Sequence, residues 1–235
     1  MPSTSTPSTS TGALAQPRIA TVLVTAGPTE EPIDEVRFLG NRSSGRLGVA
    51  LAEEFAAAGH AVTLLLGPVR VTPPSAGAHA SGGSLRVVRF RSSRDLATLL
   101  TAELPLANIV VMAAAVADYR PRTVSNGKMR REAGGLTLEL ESVPDLLATT
   151  AAHRMANARV YGFALEPRER LEQSAREKLE RKNLCGIVAN PLETMDAADI
   201  DGTLFLRDGS VRSPGARLEK RAFARWLVHE ISPRA

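Results

Sequence analysis

Apolar residues come in two rhythms along this chain. Short runs rich in Val, Ile and Leu alternate with longer stretches where apolar residues recur every three or four positions, the spacing of a helix with one buried face. RIATVLVT (18–25), AVTLLLG (61–67), LRVVRF (85–90), NIVVMAAA (108–115), ARVYGFAL (158–165) and CGIVAN (185–190) read as strands. LTLELES (136–142) alternates and reads as a half-exposed strand. The helical pattern covers GRLGVALAEEFAAAG (45–59), closed by Gly59, and SRDLATLLTAEL (93–104), with Ser93 as its N-cap. It also covers PDLLATTAAH (144–153), with Pro144 in the first turn, and PRERLEQSAREKLERKN (167–183). GTLFLRDGSVRS (202–213) reads as a hairpin turning at Asp208-Gly209, and ARLEKRAFARWLVHEI (216–231) as a last helix.

Strands alternating with crossover helices predict an α/β fold: a three-layer, doubly wound, mostly parallel sheet of Rossmann-like type, here with a small C-terminal hairpin. The runs at 108–115, 158–165 and 185–190 are the most apolar, as suits central strands covered on both faces. Such sheets bind ligands beyond the carboxyl ends of their strands, so the chemistry is expected just after each strand. No repeat and no linker interrupts residues 18–235, which read as one domain. MPSTSTPSTSTGALAQP (1–17) has no charged side chain and almost nothing to bury; it reads as a disordered tail, without the basic start and apolar run of a signal peptide.

Composition narrows this little. With 235 residues, 43% hydrophobic and 23% charged, the chain can build a large core. A net charge of +4 is too weak to argue for nucleic acid and fits an anionic small substrate. The single cysteine, Cys185, excludes an intrachain disulfide and suits a reducing compartment. No apolar run approaches the roughly 18 residues of a membrane span, so no membrane partner is expected and the cytoplasm is the expected location.

The segments after the strands carry the chemistry. TAGPTEEPID (25–34) is neither a dinucleotide fingerprint nor a phosphate loop, and fits an ordinary turn into a helix. FLGNRSSGRLG (38–48) says more. Gly45 and Gly48 allow close backbone approach, Asn41, Ser43 and Ser44 offer short-armed donors, and Arg42 and Arg46 add charge. One serine would cap the helix; the surplus points to an anionic ligand at a helix N-terminus. VADYRPRTVSNGKMRRE (116–132) sets Asp118 at a strand end, then Arg120, Arg122, Lys128, Arg130 and Arg131 around a flexible Asn126-Gly127. That is either a solvated loop or a flap that closes cations over phosphates. Phe163 and Glu166 stand at another strand end. Lys178 and Lys182 share a helix face and repel unless an anion lies between them or Glu177 and Glu180 neutralise them. His60, His79, His153 and His229 are scattered without metal-ligand spacing and read as structural or surface residues. No G-x-S-x-G or Tyr-x-x-x-Lys is present, and a dinucleotide oxidoreductase lacks its glycine fingerprint.

VLVTAGPTEEPIDEVRFLGNRSSGRLG, AAAVADYRP, GKMRRE, SVPDLLA, GFALE and REKLERKNLCGIVAN, in that order over about residues 19–190, resemble the phosphopantothenoylcysteine synthetase family of coenzyme A biosynthesis. In many bacteria that module follows a flavin-dependent decarboxylase on one chain; the resemblance here is to the synthetase half standing alone, so no flavin is expected. It implies a ligase that joins 4′-phosphopantothenate to L-cysteine. The carboxylate attacks CTP, carried with Mg2+, and releases pyrophosphate; the cysteine amine then attacks the acyl cytidylate and releases CMP. The substrate supplies the nucleophile, which suits a sequence rich in Gly, Asn and cations.

Carried over by position, the resemblance implies nucleotide contacts from Met112, Ala113, Ala114 and Asp118, from Pro144, Asp145, Leu146 and Leu147, and from Phe163, Lys178 and Lys182. Lys128 would stabilise charge as the cytidylate forms. Asn41 would serve the second step, with Ser43, Ser44 and Gly45 on the substrate, and Arg37 would reach substrate across a homodimer interface. The chain departs from the pattern at Glu30, Gly40, Pro191, in KMRR (128–131) and GFALEP (162–167), and in ETMDAADIDG (193–202), which replaces a Gly-Phe-Gly-Ser-Asp segment. These bear on the triphosphate and cytosine contacts at 165–200. An ATP-using form of the ligase and a non-catalytic partner of a separate decarboxylase stand as alternatives.

Overall fold

The computed structural model describes residues 19–131, 135–195 and 197–233; the expected tail at 1–17 lies outside them. In chain order the elements are β1 (Thr21–Ala26), β2 (Glu30–Pro32), β3 (Phe38–Gly40), α1 (Arg46–Ala57), β4 (Ala61–Leu66), β5 (Gly77–Ala78), β6 (Ser84–Arg89) and α2 (Ser93–Glu103). There follow β7 (Ile109–Met112), β8 (Tyr119–Pro121), β9 (Leu140–Ser142), α3 (Leu146–Thr149), β10 (Arg159–Glu166) and α4 (Leu171–Arg181). The last are β11 (Gly186–Pro191), β12 (Asp199–Ile200), β13 (Thr203–Leu206), β14 (Val211–Arg212), β15 (Leu218–Glu219) and α5 (Lys220–Ile231).

One nine-stranded sheet organises them, in the order β14-β13-β11-β10-β7-β1-β4-β6-β5. Its six central strands are parallel; β13, β14 and β5 are antiparallel at the edges. Alternation along β1 explains the three layers. Val22, Val24 and Ala26 pack into a core with α1 and α5, while Leu23 points to the other face, into a core with α2, α3 and α4. This is the expected doubly wound α/β fold, and the hairpin at Asp208-Gly209 is β13–β14.

Several local expectations are corrected. Ser92, not Ser93, caps α2, in a capping box with Asp95; Ser93 instead donates its N–H and its hydroxyl to the buried carboxylate of Glu31. Pro144 precedes the helix rather than entering it, because Asp145 is the N-cap of α3 and accepts from Leu147 N (3.1 Å). The run 108–115 leaves the sheet after Met112. Of 136–142 only β9 pairs, with β8 in a separate ladder, and the last helix starts at Lys220 because β15 pairs with β12. Neither Ser43 nor Ser44 caps α1: Gly45 is its N-cap, at φ 72°, with no side-chain cap.

Two glycines draw α1 onto the end of β1. A Cβ on Gly48 would stand 2.5 Å from the Cβ of Ala26, and one on Gly45 would stand 2.6 Å from a methyl of Val69 and 3.3 Å from Gly27 Cα. The helix therefore starts directly beside the strand end where a ligand is expected. Of the two roles expected for the histidines, structural or surface, His60 takes the first: it is buried, its Nδ1 accepts from Ala20 N, and burial lowers its pKa.

Candidate functional site

The chain that leaves β7 is held by hydroxyls and carbonyls from the end of β1. Ala113 N donates to Thr25 O (3.1 Å) and Ala114 N to Thr25 Oγ1 (3.1 Å). Ala115 N donates to Gly27 O (2.9 Å) and Ala117 N to Thr29 Oγ1 (3.0 Å). Thr25 and Thr29 are fully buried. They act as the scaffold of this wall, a role that the reading of TAGPT as a simple turn missed. Asn41 closes the wall: its Nδ2 donates to Ala115 O (3.2 Å) and Val116 O (3.0 Å).

A cavity of about 940 Å³ opens in front of this wall. Asn41, Ser43, Ser44 and Gly45 form one side, and Met112, Ala113, Ala114 and Asp118 the floor. Pro144, Asp145, Leu146 and Leu147 bring in the start of α3, Phe163 the end of β10, and Lys178 and Lys182 the end of α4. These residues come from five separate stretches, and they meet because the carboxyl ends of β1, β7, β10 and β11 lie on one edge of the sheet. The absence of a side-chain cap on α1 leaves its first-turn N–H groups, from residues that line the cavity, without a side-chain acceptor.

Two expected site residues are not in the lining. Lys128 is exposed on its loop, and Arg37 is tied down beside it. Arg37 Nη2 donates to Asp34 Oδ2 (2.7 Å) and to Met129 O (2.8 Å), while Met129 N donates to Asp34 Oδ2 (3.1 Å). Burial alone would push the Asp34 carboxyl up; the N–H groups of Val36, Arg37 and Met129 and the Arg37 guanidinium outweigh it and hold it far below the usual range. Asp34 and Arg37 thus form a clasp on the segment that carries Lys128.

Glu177 and Glu180 do not neutralise the two lysines. Lys178 Nζ lies 2.5 Å from Glu166 Oε1, which also accepts from Ser174 Oγ, and Lys182 Nζ lies 2.9 Å from Asp145 Oδ2. Burial raises the carboxyl pKa of Glu166 and of Asp145, but the lysine partners reverse the effect and both fall below the ordinary value. Sequence reading also missed Arg181, Asn190 and Thr194 in the lining. Arg181, three residues after Lys178 on the same helix, carried a periodic signal; Asn190 and Thr194 carried none. Arg154 went unnoticed too, although it donates to Leu147 O and so props the start of α3.

The arrangement can hold a polyanion. Arg42, Arg46, Lys178, Arg181, Lys182 and Lys220 line the cavity against Asp118 and Asp145. No histidine or cysteine is in the lining, and among the described residues no cluster of three or more His, Cys, Asp or Glu could hold a metal ion. Of the carboxylates in the lining, Asp145 is paired with Lys182, and Asp118 has no cation partner among the described residues. Among the described residues no helix is long and apolar enough to cross a membrane.

A family model for the DNA/pantothenate metabolism flavoprotein C-terminal domain matches residues 18–234. Among curated proteins, the coenzyme A biosynthesis bifunctional protein CoaBC of Bacillus subtilis (strain 168) is 38% identical over 195 residues, 81% of this chain and 46% of that protein. A cysteine/cysteine sulfinic acid decarboxylase from an unknown prokaryotic organism is 40% identical over 172 residues, 73% of this chain and 46% of that protein. The chain spans about half the length of these curated relatives. The solved C-terminal domain of CoaBC superposes with a TM-score of 0.73 at 33% identity, covering 90% of this chain and 93% of that one. The solved complex of Cab2 with phosphopantothenate-cysteine has a TM-score of 0.73 at 20% identity, over 90% of this chain and 84% of that one, a likeness of fold.

Proposed function

The chain belongs to the DNA/pantothenate metabolism flavoprotein C-terminal domain family, and from that premise we propose that it is the ligase that joins 4′-phosphopantothenate to L-cysteine. In the first step a carboxylate oxygen of phosphopantothenate attacks the α-phosphorus of CTP; the bond to the β-phosphate breaks and pyrophosphate leaves. In the second, the amine of cysteine attacks the acyl carbon, the acyl–oxygen bond breaks, the amine loses a proton, and CMP departs with that oxygen. The nucleophiles belong to the substrates. The protein supplies orientation, worth up to ~7–11 kcal/mol in favourable cases, and charge stabilisation.

One observation carries the reading. The cavity gathers every expected site residue except Arg37 and Lys128, and its lining is cationic with no histidine or cysteine. Within the proposal, the backbone of Met112–Ala114 and the Asp118 carboxylate receive the nucleoside, with Phe163 beside it and the start of α3 closing over it. Lys178 and Lys182 exchange Glu166 and Asp145 for phosphate oxygens. Lys128 swings in with its loop, and Asn41 gives up a carbonyl of the wall to offer its N–H to the acyl oxygen. Val36, Phe38 and Leu39, exposed beside Arg37, support a homodimer in which Arg37 meets the neighbouring site. The decarboxylation named for one longer relative is not assigned to these residues.

Pyrophosphate release, followed in phosphopantothenate and cysteine with CTP or with ATP, tests the reading. Turnover with CTP is the expected result, and turnover with ATP alone would transfer the proposal to the ATP-using form. Asn41→Ala should keep pyrophosphate release and lose the amide product. If product formed unchanged in that variant, Asn41 would have no part in the second step.

A further inference from the structure

The end of α4 presents three cations to the cavity, Lys178, Arg181 and Lys182, at the i, i+3, i+4 spacing that places side chains on one helix face. They are not equivalent. Lys178 is paired with Glu166 and Lys182 with Asp145, each within 2.9 Å. Arg181 is exposed, and its side chain has no hydrogen bond or ion pair among the described residues. An arriving anion must compete with a carboxylate for either lysine, whereas it meets Arg181 unopposed. A guanidinium also presents a planar fork that matches two phosphate oxygens at once, which an ammonium does not.

Resting on the proposed ligase reading, we propose that Arg181 is the residue that captures the terminal phosphates of the nucleotide and holds the pyrophosphate as it leaves. Lys178 and Lys182 then follow by exchanging their carboxylates for phosphate oxygens. The site therefore selects for a triphosphate over a monophosphate through Arg181, independently of how the base is read.

Calorimetric titration of the full chain with CTP, CMP and pyrophosphate, for wild type, Arg181→Gln and Arg181→Lys, tests this. Loss of a charge-assisted contact predicts CTP and pyrophosphate binding weakened roughly 10- to 100-fold in Arg181→Gln. CMP binding should be unchanged, which also shows that the variant is folded, and Arg181→Lys should recover part of the loss. Equal CTP binding by wild type and Arg181→Gln would overturn the assignment alone. Equal weakening of CMP and CTP would overturn it too, by moving the effect to the nucleoside. A wild type that binds no nucleoside triphosphate would sink both this assignment and the ligase reading.

Discussion

Three carboxyls and one histidine of the core and cavity are shifted downward, and that sign gives a pH profile. Burial pushes the Asp145, Glu166 and Glu54 carboxyls up, but Lys182, Lys178 and the pair Arg225 and Arg221 respectively reverse this, and all three lie below their ordinary values. A depressed carboxyl stabilises the fold fully above its unfolded pKa of about 4, and that part is lost as the pH falls through the lower folded value. His60 is also depressed, by burial and by the nearby Arg159. In the unfolded chain it protonates near pH 6.5 and in the fold only at lower pH, so its contribution begins to fade there on acidification. Thermal melts should therefore show a first decline below about pH 6.5 and a second, steeper one below about pH 4. His60→Gln should remove the first and keep the second. Residue types in the site were legible in the sequence; their partners were not, because Lys182 meets Asp145 and Lys178 meets Glu166 only after α3, β10 and α4 have packed.

Among the elements, the long apolar runs read true because a central strand buried on both faces needs little else. The β2–β3 and β8–β9 ladders did not, since three-residue strands are set by hydrogen bonds and turns rather than by periodicity. The helix α1 shows how packing overrides propensity. Alanine is the better helix former by about 1 kcal/mol, so a slack contact would make Gly48→Ala stabilising. The added methyl would instead meet Ala26, and we expect a loss of about 1–3 kcal/mol in urea denaturation. The clasp makes a separate prediction for the Lys128 segment. Asp34→Ala removes the acceptor of Met129 N and the partner of Arg37, so tryptic cleavage after Lys128, Arg130 or Arg131 should accelerate roughly tenfold or more. Cleavage at an unchanged rate would show that Asp34 does not govern the opening of this segment.

At the scale of the molecule, one edge of a parallel sheet collects a helix start, a hydroxyl-braced wall and a row of cations, and the proposed chemistry needs little more. In the proposed reaction the protein would align an acid, a nucleoside triphosphate and an amine, and neutralise the charge that passes between them. Phosphopantothenate labelled with oxygen-18 in its carboxylate tests this most directly, with CTP and cysteine in single turnover. The account predicts one labelled oxygen in the phosphate of the CMP released and no mass added to the protein. Label absent from CMP, or an acyl or nucleotidyl group found on the chain, would contradict it.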